Sequence, residues 1–394
     1  MLLRFRHIRK YLILAALPAA LLLLHSCCRH NKIGVEEKRT ISMNVSATGT
    51  KAIVEDLTGM INQCFDGDNR ISNAGFGVYG FKKQVDNTSI LLFDDRLVYP
   101  NTKTGTTWSY ANTRYWDSNP VVSYQFIAYW PYLTNDPDEL VNQTDPYVSV
   151  PDPVNGNYSS KVLTIHSVPN WQPVDDVNGT EKDFMTAVAS GKYRSTVPDE
   201  VTAFRTGTVT FSFRHILSQV RIEAYSVGTS APVYIKSVTL NESSVDANDV
   251  LSNASGASTD FTLGYDGSYA TPYNPSLTSS TTLISNANIL VQYVDELQEN
   301  PTTVYTEVGH WLVVPHQWQN LILTVNRQIG DAGTPEDRDV TISLGTSPDY
   351  QIVAGNKYVI TLMFDTSSGG LQVASVAVKD WDDEVEENRE VYNW

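Results

Sequence analysis

The sequence predicts an all-β protein made of two antiparallel β-sandwich domains in tandem, and three observations carry that expectation. Short apolar bursts alternate inward and outward with period two. Clusters of Gly, Pro, Asn and Asp interrupt them every 8 to 15 residues or so, the spacing of sandwich strands, with no interleaved helices to demand a parallel sheet. The chain also carries 21 Tyr and 8 Trp and abundant Val and Thr, residues that suit a half-buried pleated surface. At 394 residues it is long enough for two domains of ordinary size.

The N-terminus reads as an export signal. Arg4, Arg6, Arg9 and Lys10 precede an uncharged run from Tyr11 to Leu24 that contains Pro18. A spanning helix needs about 20 apolar residues, whereas a run of about 7–15 is the length of a secretory signal core. The run ends Leu24-His25-Ser26-Cys27, which looks like a bacterial lipobox, with an apolar residue at −3, a small one at −1 and cysteine at +1. Residues 1–26 are therefore expected to be removed and Cys27 to carry acyl chains, each buried CH₂ adding about 0.8 kcal/mol of membrane affinity. An ordinary signal peptide with an incidental Cys27 is the competing reading. Residues 27–40 are polar and charged and read as a tether.

The first burst after the tether, Thr40 to Ser46, puts Ile41, Met43 and Val45 on one face. Val54, Leu57, Ile61 and Cys64 then step by threes and fours and permit one short helix. Strands are expected at Phe76–Phe81 and at Val121–Trp130, where Pro131 ends the run because proline cannot donate to a ladder. Thr134–Arg205, rich in Pro, Asp, Asn and Gly, is expected to carry long loops over short strands. From Thr208, Val209, Phe211 and Phe213 alternate inward, a kink at Arg214-His215 shifts register, and Val220, Ile222 and Ala224 resume. This places the N-terminal domain at 41–205 and the C-terminal one at 206–394. Residues 241–285 read as an extended loop, followed by strands near 311–314, 321–326, 358–364 and 371–378.

Charge and motifs exclude several classes. Removal of the four bases of residues 1–26 leaves 24 bases against 44 acids, a net of −20, a surface that repels nucleic acid. No metalloprotease, nucleophile-elbow, phosphate-loop or dinucleotide motif is present, so no catalytic residue and no cofactor is predicted and the chain reads as a non-enzyme. The histidines are scattered; His7, His25 and His30 fall in signal or tether, and His215, His310 and His316 read as structural. Cys64 reads as a small buried hydrophobe. Asp66-Gly67-Asp68 and Asp380–Glu387 lack the spacing of a calcium loop and read as solvated acidic segments, so no metal site is predicted. Trp108, Tyr110, Tyr115 and Trp116 are either a sugar-stacking platform or core and loop anchors.

Taken in order, Thr50-Lys-Ala52, Phe76-Gly-Val-Tyr-Gly80, Tyr124-Gln-Phe-Ile-Ala-Tyr-Trp-Pro131, Asp183-Phe-Met-Thr-Ala187, Phe211-Ser-Phe-Arg-His-Ile-Leu-Ser-Gln-Val-Arg-Ile222, Leu312-Val-Val-Pro315, Gly355-Asn-Lys-Tyr-Val-Ile-Thr361 and Val378-Lys-Asp-Trp381 resemble the fimbrillin family, the minor-fimbria-like lipoproteins of type V pili in Bacteroidetes. That resemblance implies two transthyretin-like sandwiches, export to the outer membrane and cell surface, and polymerisation by strand exchange. In that scheme a protease removes the first strand, about Thr40–Thr48 here, and a neighbour's strand fills the groove. Arg39, Lys51 and Arg70 are the basic residues at which processing is expected. The partners implied are other fimbrial subunits, the outer membrane through the lipid, and a host or bacterial surface ligand. The tail from Asp382 to Glu390 is acidic and a poor donor strand, which points to an accessory, tip or anchor subunit over a stalk subunit. The alternative reading is a surface glycan-binding lipoprotein of a polysaccharide uptake system.

Overall fold

The computed structural model describes residues 39–45, 51–105, 107–117, 119, 122–134, 145–173, 182–190, 207–242, 258–264, 269–270, 281–295, 304–317, 320–343 and 351–380. The signal segment, Cys27 and the acidic tail lie outside them. The elements of the first half are β1 (Ser42–Val45), α1 (Lys51–Gln63), β2 (Phe65–Asp66), β3 (Asn69–Arg70), β4 (Phe76–Lys83), β5 (Ser89–Pro100), β6 (Trp108–Tyr110), β7 (Ser123–Trp130), β8 (Tyr147–Ser149), β9 (Val162–Pro169), β10 (Trp171–Pro173), β11 (Met185–Ser190), β12 (Thr208–Phe211) and β13 (Arg214–His215). The second half adds β14 (Ser218–Val227), β15 (Val233–Glu242), β16 (Ser258–Gly264), β17 (Tyr269–Ala270), β18 (Thr281–Ile284), β19 (Ile289–Tyr293), β20 (Thr306–Val313), β21 (His316–Gln317), β22 (Asn320–Ile329), β23 (Glu336–Ser343), β24 (Gln351–Ile352), β25 (Asn356–Asp365) and β26 (Gly370–Asp380). The protein is all-β with one described helix, as its composition predicts.

The first sheet runs β1-β12-β11-β7-β4-β5-β6. One face encloses a core of Phe76, Val78, Phe93, Val98, Phe126 and Phe211. Onto this core α1 lowers Leu57 and Ile61, with Cys64 just past its end, as the three-and-four stripe of the sequence requires, and Met60 joins them; the side chain of Val54 lies outside the described residues. Strand β7 is buried on both faces, because Tyr124, Phe126 and Ala128 enter that core while Ile127 and Tyr129 enter a second one. Its close neighbour β4 needs a glycine there. A Cβ on Gly77 would lie 2.1 Å from the Tyr129 ring, so the ring packs directly against bare backbone.

A four-stranded sheet, β17-β16-β9-β8, covers that second core with Val148, Leu163, Ile165, Phe261 and Leu263. Here the structure departs from the expected surface loop at 241–285, since β16 pairs with β9 along six register positions. The apolar alternation of Phe261 and Leu263 gives that short strand a buried face.

The largest sheet holds β10-β20-β14 with β25 and β26, and β15-β22-β23 joined through β19. These strands pack around Val220, Ile222, Leu240, Val325, Ile360 and Phe364. Most pairings are antiparallel, but β1 with β12, β14 with β19 and β14 with β25 are parallel. Strands β12 and β13, which the sequence assigns to the opening of the C-terminal domain, pair with β11 in the first sheet. Pairing partners across a long sequence separation decide sheet membership, and local alternation carries no record of them.

Candidate functional site

The first strand and the slot that holds it form the candidate site. β1 is four residues long and, with Ile41 just before it, alternates as the sequence requires: Ile41, Met43 and Val45 are buried and Ser42 is exposed. On one side it runs parallel to β12, in the register Ser42 with Thr208 through Val45 with Phe211. On the other side the chain just past β6 meets it. The Ile41 amide donates to the Arg114 carbonyl at 2.9 Å, the Trp116 amide donates to the Arg39 carbonyl at 2.9 Å, and Thr40 bridges Tyr115. The two ends of the first sheet therefore meet across β1, which fills the seam between them.

Aromatic side chains build the walls of the seam. The Tyr110 hydroxyl donates to the Ile41 carbonyl at 2.6 Å, and burial raises its pKa, so it stays a neutral donor. Trp116 Nε1 donates to the Gly207 carbonyl at 3.2 Å, and its ring meets Tyr124 edge-on at 4.9 Å. Trp108 and Trp116 are 7% and 8% exposed, so these rings pack the core and present no sugar platform; Tyr115 alone of the four is exposed, at 46%.

Chemically, the seam is a strand-binding slot. It offers main-chain donors and acceptors on both margins and three apolar sockets at two-residue spacing. Each fully buried Ile, Met or Val side chain is worth roughly 1.5–3 kcal/mol, so the slot's hold lies mainly in the sockets.

The basic residues singled out in the sequence do not converge. Arg39 is exposed immediately before the strand. Lys51 opens α1. Arg70 sits in the β2–β3 hairpin with its guanidinium 4.1 Å over the Tyr99 ring. Asp66 and Asp68 are exposed around the same hairpin turn, and no group of three metal-ligating side chains occurs among the described residues. Cys64 is fully buried, donates to the Met60 carbonyl at 3.2 Å and has its thiol pushed up to about 12 by burial, the inert state expected of it. His215 Nδ1 lies 2.7 Å from Asp183 of a neighbouring segment, and His310 Nδ1 lies 2.5 Å from Glu307 of its own strand, both structural contacts. His316 lies in β21.

Sequence reasoning missed a second feature altogether, a bonded row of Ser149, His166 and Asp260 on the four-stranded sheet. No local motif marks it, since its members lie 17 and 94 residues apart.

Stacked sheets, with a short first strand seated at the edge of one of them, define the class of protein as an all-β sandwich. The chain belongs to the fimbrillin-like family, whose profile matches residues 66–381. It is thus a fimbrial-type protein, and fimbrial proteins are associated with the cell surface. Among solved structures it is similar to a fimbrial protein from Bacteroides vulgatus, at 17% identity and a TM-score of 0.52 over 87% of this chain and 99% of that one. It is also matched to the fimbrial anchor protein Mfa2 from Porphyromonas gingivalis, at 7% identity and a TM-score of 0.32 over 87% of this chain and 97% of that one. Comparison with curated proteins gives no match. No helix among the described residues is long and apolar enough to cross a membrane.

Proposed function

We propose that this chain is a pilus subunit of accessory, tip or anchor type that works by assembly, held to the outer membrane through acyl chains on Cys27 before processing and joined to neighbouring subunits by β-strand exchange. The observation that carries the reading is the seam. Met43 and Val45 of the four-residue strand, with Ile41 just before it, are buried at alternate positions, and backbone on both margins bonds to this segment. Removing it leaves a slot whose unpaired backbone groups and empty sockets favour another extended segment.

The place of the cut follows from what each cut releases. Cleavage after Arg39 frees the tether and leaves β1 seated. Cleavage after Arg70 takes α1 away with its buried Leu57, Met60, Ile61 and Cys64, at a cost of several kcal/mol. A cut at residues 46–51, Lys51 included, releases β1 alone, and this is the processing site we assign. We also draw the two-sandwich division after His215 instead of at 205/206, since β12 and β13 complete the first sheet.

The test has two parts. Cells labelled with radioactive palmitate are treated with external trypsin-like protease; label left on a short N-terminal fragment, with the body released, supports a surface anchor, and a protected full-length labelled protein overturns it. Purified chain cut at residues 46–51 is then offered a peptide of residues 40–46. Binding that is abolished by Met43→Asp in the peptide supports the slot, and absence of both binding and heat-labile polymers overturns it.

A further inference from the structure

The four-stranded sheet turns Val148, Leu163, Ile165 and Phe261 into the core, so the alternate residues of the same strands line its outer face. There Tyr147 stands opposite His166 and Ser149 opposite Thr164. On the other flank of β9, Ile165 pairs with Phe261 and Val168 with Thr259, so His166 and Ser167 together face the single residue Asp260. That is a β-bulge, a device that re-aims a side chain, and it holds Ser167 at φ 58°, a conformation unusual for a non-glycine residue.

Asp260 occupies both groups the bulge presents. Its Oδ1 accepts the Ser167 amide at 3.0 Å and its Oδ2 lies 2.9 Å from His166 Nδ1. A proton on Nδ1 satisfies the carboxylate, which leaves the Nε2 lone pair facing Ser149 Oγ at 2.8 Å. Tyr147 stacks on the imidazole with ring centroids 4.4 Å apart and planes within 16°, fixing its tilt. Beside Ser149, the Thr164 and Thr262 hydroxyls are 3.1 Å apart; one donates to the other, and the second proton of the pair points elsewhere.

We propose that Ser149 is an activated nucleophile, with His166 as its general base, Asp260 as the positioning carboxylate, and small activated carboxylic esters as the substrate class. Ser149 Oγ bonds to the ester carbonyl carbon as His166 Nε2 takes the hydroxyl proton; the carbonyl–alkoxy bond then breaks and the alcohol leaves with that proton. Water, deprotonated by the same nitrogen, then attacks the acyl-serine; the acyl–Oγ bond breaks as Nε2 returns the proton to Ser149 Oγ, and the carboxylic acid is released. The threonine pair supplies one hydroxyl to the developing oxyanion, where efficient acyl-transfer sites hold several donors, and each missing donor costs about 10²–10³ in rate. The missing donors slow both half-reactions, but the activated leaving group speeds acylation alone, so the acyl-serine accumulates. This activity goes beyond the assembly role, and neither depends on the other.

The experiment uses the full chain with p-nitrophenyl acetate. A burst of nitrophenol approaching one equivalent, with the acetyl group on Ser149 by mass spectrometry, is the expected result. Ser149→Ala removes the burst, and His166→Gln slows acylation by about 10²-fold or more. Asp260→Asn, which still offers an acceptor to the Ser167 amide, lowers the acylation rate constant while leaving KM unchanged, a split that a merely structural role does not produce. Nitrophenol release as fast from Ser149→Ala as from the parent, or acetylation confined to lysines, overturns the proposal and leaves the row as a polar clasp between strands. Thermal melts of Ser149→Ala, which loses only one outward hydroxyl, guard against a folding artefact.

Discussion

The Tyr110 hydroxyl and the Ile41 carbonyl, 2.6 Å apart, tie β6 to the residue just before β1. The bond spans the seam, so its loss acts on the seam first. The same hydroxyl accepts the Arg114 amide at 3.3 Å, so Tyr110→Phe loses two bonds and is expected to cost about 1–2 kcal/mol. Hydrogen exchange should accelerate at the amides of residues 41–45 while those of β25 and β26 are unchanged. Uniform acceleration through both halves overturns this assignment.

The sockets should outweigh the bond. Ile41 is fully buried, so Ile41→Ala is expected to destabilise the first half by about 2–5 kcal/mol. Ser42 is exposed, and Ser42→Ala should fall within about 0.5 kcal/mol of the parent. Urea titration followed by tryptophan fluorescence separates the two.

Two glycines should respond in opposite directions. Gly77→Ala drives a Cβ into the Tyr129 ring and is expected to cost about 1–3 kcal/mol or more through overpacking. Gly59 lies in α1 with nothing within 4 Å of the added Cβ, so Gly59→Ala is expected to gain up to about 1 kcal/mol from helix propensity. Equal melting shifts for the two would refute the packing account.

Asp95 supplies a pH dependence. Burial pushes its carboxyl up to about 6, against the opposing pull of the Tyr129 hydroxyl, which donates to it at 2.6 Å. The folded chain therefore binds this proton more readily than the unfolded one. The stability so gained is present below the unfolded pKa near 3.8 and is lost as pH rises to about 6. Asparagine tolerates the φ of 40° found at this position, and Asp95→Asn carries no such titration. Its stability relative to the parent should rise between pH 4 and 6 and then level off. Parallel curves for the two proteins would remove Asp95 as the cause.

Much of the fold was readable because its signals are local. Ile41, Met43 and Val45 alternate within six residues, and Leu57, Ile61 and Cys64 keep helical spacing, so β1 and α1 are visible without partners. Strand β16 was not, because Ser258, Thr259 and Asp260 continue a stretch of small polar residues and only Phe261 and Leu263 betray a buried face. The placement of β12 depends on β1 and β11, at distances in sequence that no window spans. The slot was half legible: the strand that fills it shows in the sequence, while its walls at Arg114, Trp116 and Gly207 are contributed from afar. His166 was passed over for the same reason.

Strands β9 and β10 are separated by the single residue Asn170, yet β9 pairs with β16 and β10 with β20. One stretch of backbone is thus stitched into two sheets, and its partners β16 and β20 both come from the far half of the chain. The Thr259 hydroxyl donates to Asn170 at 2.6 Å and the Val314 amide to its carbonyl at 3.0 Å, locking the crossing point. A tensile load entering at one end of the molecule reaches the other through several rows of hydrogen bonds sheared together, not through a lone hinge. Under drag, such a body yields by rupture of a whole ladder and not by bending at a joint.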